Sequence, residues 1–476
     1  MLTRKSEQKN KGEKGVAIVL ATMTILIFGG MIGLAIDGGI AFFLKARLGQ
    51  AMDAASLAGA RTLARNNFWG CTVPTPTVAV WEDTVNTHIR YVQVTGSVTT
   101  PLYFMRVLGF TTASLSSTAT AQRRDVNVMF VLDRSGSMSG AIADLVNDSK
   151  WFVSNFALGR DRVGLVTFGG TYYLIKPTTA FSGVSTAIST LTASNVYGTT
   201  NHAQPLWTAY KALAELNEPG SLNVIVFFTD GQPNTIFADW QAYLKTPTTC
   251  NNGGNGVRGY ALVYSNNTLG GLFANLTPLP PYGPLNQLTA GTVGTDYVST
   301  AYDKGTTTYD STSMISMSKT TGCTFLPNSP GNVAANFTQI PPFDYYGNAT
   351  NPTGTPPNAG GPPADCPTCT SRYQSVTLNN FTYQNLLAAA FNAGDSAAQR
   401  MRKGTINGII PLVDCIALNT GSTIDSVYMN RLANTTSSTV PYDNTKPTGI
   451  YVYAQSTSDL MPAFQQIASQ LLHLSQ

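Results

Sequence analysis

The chain has 476 residues, beyond the ~250 to 300 at which one hydrophobic core stops growing, so a single small module is excluded. Charged residues make up 11% and hydrophobic residues 43%, against about 25% charged in an average soluble domain, so charge-driven disorder is excluded and uncharged polar groups must cover the surface. The 29 basic and 25 acidic residues leave a formal charge of +4, too small and too dispersed for a nucleic-acid-binding surface.

Residues 1–15 form a basic leader with Arg4, Lys5, Lys9, Lys11 and Lys14 against Glu7 and Glu13. Val16 to Ile36 then runs 21 residues without a charge, about 31 Å of helix and enough to cross a bilayer core. A basic flank before the span and Asp37 after it predict a single-pass membrane anchor at 16–36, with a cytoplasmic N-terminus and the rest exported. A cleaved signal peptide is the weaker reading, because its apolar region is usually ~7 to 15 residues and no small-x-small cleavage site follows the run. The Ala- and Leu-rich stretch Gly39 to Arg65 has no proline and continues the helix as a stalk. Short Val-, Thr- and Tyr-rich runs in 71–124, with a candidate helix at Pro101–Leu108 and a strand near Ser114–Ala121, predict a small α+β subdomain.

The order of basic leader, Gly-rich span, Ile36-Asp37-Gly38-Gly39 and Leu48-Gly-Gln50-Ala-Met-Asp53-Ala54-Ala55-Ser-Leu57-Ala58-Gly59-Ala60 resembles the N-terminal signature of TadE/TadG-like proteins of tight-adherence (Flp) pilus systems. The resemblance implies a bacterial inner-membrane protein, periplasmic or surface-exposed beyond the span, with pilus-assembly components or surface proteins as partners. A pilin-type processing site would place Glu five residues after the glycine, where Leu20 follows Gly15. A retained anchor fits better than a polymerising pilin.

From Asp125 the pattern changes. An apolar strand, Val126 to Leu132, ends in Asp133-Arg-Ser135-Gly-Ser137. Helix Ala141–Ala157, strands Arg162–Phe168 and Tyr172–Ile175, helices Val184–Leu191 and Pro205–Leu216, and strand Val224–Thr229 follow. This alternation predicts an α/β fold with a doubly wound, mainly parallel sheet. Ligands bind such sheets at the carboxyl ends of the strands, where Asp133 and Asp230 stand. A tight turn presenting Asp133, Ser135 and Ser137 aims one carboxylate and two hydroxyls at one point, Gly198-Thr199-Thr200-Asn201 offers a further hydroxyl, and Asp230 a second carboxylate; hard divalent cations prefer such oxygen donors.

Asp-x-Ser-x-Ser at Asp133, Ser135 and Ser137, with Thr200 and with Asp230 in Phe227-Phe-Thr-Asp230-Gly231, resembles the von Willebrand factor A domain and its metal-ion-dependent adhesion site. Thr200 is preferred to Thr199 because Thr200-Asn201 with Leu206 six residues on keeps the family spacing. The resemblance implies Mg²⁺, with Mn²⁺ as an alternative, held with one coordination position open to an acidic side chain of a partner protein. No enzyme activity is expected. Serine hydrolysis would need a base, and the histidines are His88, His202 and His473, of which only His202 lies near a candidate loop. The residue-level alternative is that Ser and Asp merely cap the next helix. At the level of function it is a structural envelope or pilus-associated spacer whose metal site does not work.

The expected organisation is leader 1–15, span 16–36, stalk and subdomain 37–124, A domain 125–234, insertion 235–382, and A domain resumed at 383–476. The insertion is rich in Thr, Asn, Gly, Pro and Tyr, and only Arg258 is charged between Thr246 and Thr295. Helix Tyr383–Arg402, strand Asp414–Leu418, helix Ser426–Ala433, strand Ile450–Tyr453 and helix Asp459–Leu474 would complete the domain. If the chain is exported, Cys250 with Cys323 and Cys366 with Cys369 can form disulfides, with zinc at Cys366 and Cys369 as the alternative. Cys415 reads equally as a buried thiol or a bridge to Cys71.

Overall fold

The computed structural model describes residues 9–58, 71–170, 172–193, 199–240, 257–263, 265, 269–275, 285–288, 339–354, 360–437 and 442–475. The stalk beyond Ala58, Gly198, Cys250, Cys323 and the proline-rich Pro278–Tyr282 lie outside them. The chain divides into two compact units, at 1–124 and 125–475.

In the first unit, helix α1 (Lys9–Ala58) joins the apolar span to the stalk without a break. It is long and apolar enough to cross a membrane, with mean hydropathy 2.3 over its most apolar window. Strands β1 (Thr77–Glu82), β2 (Ile89–Pro101) and β3 (Thr112–Arg124) form an antiparallel meander. Leu44, Leu48 and Met52 of α1 are buried against Val94 and Val98 of β2 and Ala119 of β3. Gly96 gives the Met52 side chain room there, since a Cβ would fall 2.6 Å from its sulfur. The expected helix at Pro101–Leu108 is corrected to a short 3-10 helix, Met105–Leu108. Pro101 ends β2, and the N–H groups of Tyr103, Phe104 and Met105 go to the Asp37 carboxylate at 3.0, 2.9 and 2.7 Å.

The second unit runs β4 (Val126–Asp133), α2 (Ile142–Ser154), β5 (Arg162–Phe168), β6 (Tyr172–Thr178), α3 (Ser182–Ser189), α4 (Ala203–Leu216) and β7 (Leu222–Thr229). After it come β8 (Phe237–Trp240), β9 (Val257–Val263), β10 (Leu269–Asn275), β11 (Leu285–Leu288), α5 (Tyr383–Lys403), β12 (Leu412–Leu418), α6 (Ser426–Leu432), β13 (Tyr451–Ala454) and α7 (Leu460–Ser475). The central sheet has the order β13-β12-β7-β4-β5-β6. Every neighbouring pair is parallel except the edge pair β5 and β6.

Strand β4 is buried on both faces, which is why Val128 to Leu132 reads as a continuous apolar run. Val126, Val128, Phe130 and Leu132 pack on one side with Phe152 of α2, Val184 and Ile188 of α3 and Phe464 of α7. Met129 and Val131 pack on the other with Leu206 and Tyr210 of α4, Met401 of α5 and Tyr428 of α6. The period of two along the strand thus feeds two helical layers. Local signals agree with these elements: Thr382 caps α5 by accepting the Asn385 N–H at 3.2 Å, and Gly404 ends it at φ 63°.

The described parts of 235–382 include a four-stranded antiparallel sheet of order β11-β10-β9-β8. Ile236, Ala261, Ile340, Leu378 and Phe381 are buried against Leu386, Ala390 and Ala393 of α5. Arg400 of α5 ties the same segment down: it donates to Asp365 at 2.6 Å, to the Asn348 side chain at 2.6 Å and to the Tyr346 carbonyl at 3.0 Å. Its guanidinium lies 3.5 Å from the centre of the Trp207 ring. Cys366 and Cys369 are joined by a disulfide, so their sulfurs are not open to zinc. Cys415 is a buried thiol.

Candidate metal centre

Three neighbouring parallel strands, β4, β7 and β12, end at the same edge of the sheet, and each delivers side chains to one cluster. Asp133 is the last residue of β4 and is fully buried. Its Oδ1 accepts the Ser135 N–H at 2.7 Å, which holds the turn that follows. Gly136 begins a short 3-10 helix, Gly136–Gly140, which returns Ser137 toward Ser135, with the two hydroxyls 3.2 Å apart. Asp230 follows β7, and its Oδ1 accepts from Ser137 Oγ at 2.9 Å and from Ser135 Oγ at 3.4 Å. Asp133, Ser135, Ser137 and Asp230, from loops about a hundred residues apart, are therefore one cluster.

Thr200 reaches this edge by another route. Its backbone N–H donates to the Asn234 side chain at 2.8 Å and its carbonyl accepts the Asn234 N–H at 2.9 Å. The loop carrying Thr200 is thus fastened to the loop that follows Asp230. Thr200 and Thr199 are both buried. The Thr199 hydroxyl has no hydrogen-bond partner among the described residues.

Two threonines complete the cluster that sequence reasoning missed. Thr229 Oγ1 donates to Asp133 Oδ2 at 2.6 Å, and Thr420 Oγ1, just past β12, donates to Asp230 Oδ2 at 2.7 Å. The register carries both: Phe228 pairs with Leu132 and Ala417 with Thr229, so residues one or more steps on meet across the strand ends. His202, at the start of α4, lies beneath. Its Nε2 is 3.2 Å from Thr229 Oγ1, and its ring sits between Phe227 and Tyr428 at 4.9 and 5.8 Å. Because the single Thr229 proton goes to Asp133, the imidazole supplies the hydrogen of that contact. Burial pushes its pKa down to about 3, so it stays neutral. Among the described residues its hydrogen-bond partner is Thr229, not Ser135 or Ser137.

Burial first, and the charge of Asp230 second, push the Asp133 carboxyl up; burial also raises Asp230. Among the described residues, the groups hydrogen-bonded to the two carboxylates are hydroxyls and backbone N–H groups, all neutral. Two carboxylates at close quarters without a cationic partner are costly. The donor set, all hard oxygens with two negative charges, fits a small divalent cation. No group of three or more His, Cys, Asp or Glu capable of holding a metal occurs among the described residues, so hydroxyls would have to supply the remaining ligands.

The doubly wound sheet with this loop cluster at its carboxyl edge defines a von Willebrand factor A fold. Residues 128–232 match the model of the von Willebrand factor type A domain, and residues 15–62 match that of TadE/G-like Flp pilus assembly. The resemblances of the N-terminal part to TadE/TadG-like proteins and of the later part to the von Willebrand factor A domain are thereby borne out. No curated protein matches the chain. Similar solved structures include the pilus adhesin SpaC of Lactobacillus rhamnosus GG, at 11% identity and TM-score 0.38, covering 86% of this chain and 37% of that one. Another is the vWF domain of the type V pili tip protein Mfa5 of Porphyromonas gingivalis, at 14% identity and TM-score 0.32, covering 74% and 97%. A third is proximal thread matrix protein 1 of the mussel byssus with a zinc-occupied MIDAS motif, at 16% identity and TM-score 0.21, covering 23% and 32%. This chain spans little more than a third of the SpaC chain it matches.

Proposed function

We propose that this chain is an inner-membrane-anchored component of a tight-adherence pilus system that binds a partner protein through a divalent cation in its A domain. Residues 16–36 anchor it with the N-terminus in the cytoplasm, and the A domain lies in the periplasm or at the cell surface. The observation that carries the reading is the convergence of two buried carboxylates on one turn: Asp230 accepts from the Ser135 and Ser137 hydroxyls and Asp133 from the Ser135 N–H.

Asp133, Ser135, Ser137, Thr200 and Asp230 would hold Mg²⁺ or Mn²⁺. The bound ion would supply a localised positive charge for an acidic side chain of a pilus component or surface protein. Thr229 and Thr420 fix the carboxylate orientations, as groups behind metal ligands do. The role is recognition rather than turnover. The test is Mn²⁺ binding to the detergent-solubilised full chain, read by electron paramagnetic resonance. The wild type should bind a single ion that both Asp133→Ala and Asp230→Ala lose. Unchanged stoichiometry in both variants would remove the cation from the account and leave a spacer role.

A further inference from the structure

The turn between β2 and β3 is apolar where a soluble hairpin would be polar. Tyr103, Phe104, Val107, Leu108 and Phe110 are 63%, 48%, 89%, 64% and 59% exposed. Five large apolar side chains within eight residues would be a costly surface in water. Their position supplies the explanation. The Asp37 carboxylate takes three successive N–H groups, those of Tyr103, Phe104 and Met105. Asp37 is itself only 3% exposed. The charge that closes the uncharged run is therefore spent on holding this turn against α1.

The turn also reaches back along the helix. A Cβ on Gly33 would fall 2.5 Å from the Phe104 Cβ, so Phe104 sits directly on the Gly33 backbone. Gly33 lies one helical turn, about 6 Å, to the N-terminal side of Asp37. It is inside the uncharged run Val16–Ile36. On α1, Ile32, Leu34 and Ile36 are exposed beside it. The apolar surface of the turn is thus continuous with that of the span. Arg106 provides a flexible cation able to reach headgroups from such a position.

We infer that residues 102–110 form a second membrane contact, a loop that lies in the headgroup and upper acyl region of the bilayer on the exported side and is clipped to the span by Asp37 and Gly33. The occupant of this surface is lipid. Aromatic and aliphatic side chains with a neighbouring cation are the chemistry of that zone. With two contacts side by side, α1 is fixed in depth and rotation, and the meander is held at the membrane. The inference rests on the reading of α1 as a membrane anchor.

The structure supplies a matched pair for the test. Val107 and Val85 are 89% and 94% exposed in the same unit. They stand at opposite ends of β2, about 40 Å apart along the strand. Ile27→Trp, Val107→Trp and Val85→Trp are each placed in the full chain, reconstituted in vesicles of phosphatidylethanolamine and phosphatidylglycerol carrying brominated acyl chains. Fluorescence is compared with the unsubstituted chain in the same vesicles. The added emission of Val107→Trp should be quenched most by lipid brominated near the headgroup and little by aqueous iodide. That of Ile27→Trp should be quenched by lipid brominated deep in the chain, and that of Val85→Trp by iodide alone. If Ile27→Trp is quenched by lipid and Val107→Trp is not, the loop contact is refuted with the anchor intact, whether iodide reaches Val107→Trp or another protein covers it. If Ile27→Trp is not quenched by lipid, the anchor reading itself fails and the loop inference falls with it.

Discussion

Thr229→Val keeps the shape of a fully buried side chain and removes one hydroxyl. Asp133 Oδ1 would retain the Ser135 N–H, but Oδ2 would lose its Thr229 partner at 2.6 Å. His202 Nε2 would lose its contact at 3.2 Å, and Nδ1 already has no partner among the described residues. A hydrogen bond to a charged acceptor contributes about 1.5 to 3 kcal/mol, and an orphaned buried donor adds to the loss, so the expected destabilisation is about 2 to 4 kcal/mol. Groups that orient metal ligands typically change affinity by about 10- to 100-fold, so Mn²⁺ binding should weaken by that factor. Thr229→Ser keeps the hydroxyl and loses one methyl, which costs about 1 kcal/mol. Urea unfolding of the detergent-solubilised chain with Trp fluorescence, and Mn²⁺ titration of the same samples, measure both effects. Equal damage from the valine and serine variants would show that the methyl packing contributes as much as the hydroxyl, against the larger hydroxyl contribution expected here. A valine variant within about 0.5 kcal/mol of wild type would refute the reasoning.

Asp414 on β12 is buried, with Oδ1 accepting the Ile450 N–H at 2.9 Å and Oδ2 unpartnered among the described residues. Burial raises its pKa from 3.8 to about 7. The folded state therefore holds the proton more tightly than the unfolded chain, and this contribution is full below 3.8 and lost as pH rises through about 7. Asp414→Asn should accordingly gain on wild type by up to about 4 kcal/mol between pH 4 and 8 in urea titrations; a difference that does not change with pH contradicts the assignment. Arg431 is bonded through Nε and Nη2 to Asp395, and Nη2 also reaches Ser371 Oγ at 2.7 Å. Breaking one side of a buried pair costs about 3 to 5 kcal/mol. Arg431→Ala should lose that much in the same assay, and Arg431→Met with Asp395→Leu should recover a large part; a double variant as unstable as the single one would locate the cost elsewhere.

The sheet and its helices were legible because each strand of the A domain is an apolar run of strand length, with a helical period between strands. Asp133, Ser135 and Ser137 were legible because their spacing is local. Thr229 and Thr420 were not, since their roles depend on strand register, and Thr420 stands 190 residues from Asp230. A threonine just before Asp230 and a polar run directly after β12 were the available signals. The segment 235–382 was harder to read because its described strands are short, four to seven residues, and other described parts are held by side-chain bonds such as those of Asn348, Asp365 and Arg400. The expected helix at Pro101–Leu108 is shortened to Met105–Leu108 because its start belongs to the sheet: Pro101 ends β2 opposite Thr112, and the Leu102 N–H goes to the Thr111 carbonyl at 3.0 Å.

The central claim is that partner binding runs through the cation site. Crosslinking in intact cells of wild type, Asp133→Ala and Asp230→Ala, each with Mg²⁺ and with a chelator, tests it most directly, with urea unfolding confirming that the variants are folded. The account predicts crosslinked pilus or surface proteins that vanish from both variants and, in the wild type, vanish with the chelator and return with Mg²⁺. The same adducts at the same yield in all six samples would contradict it.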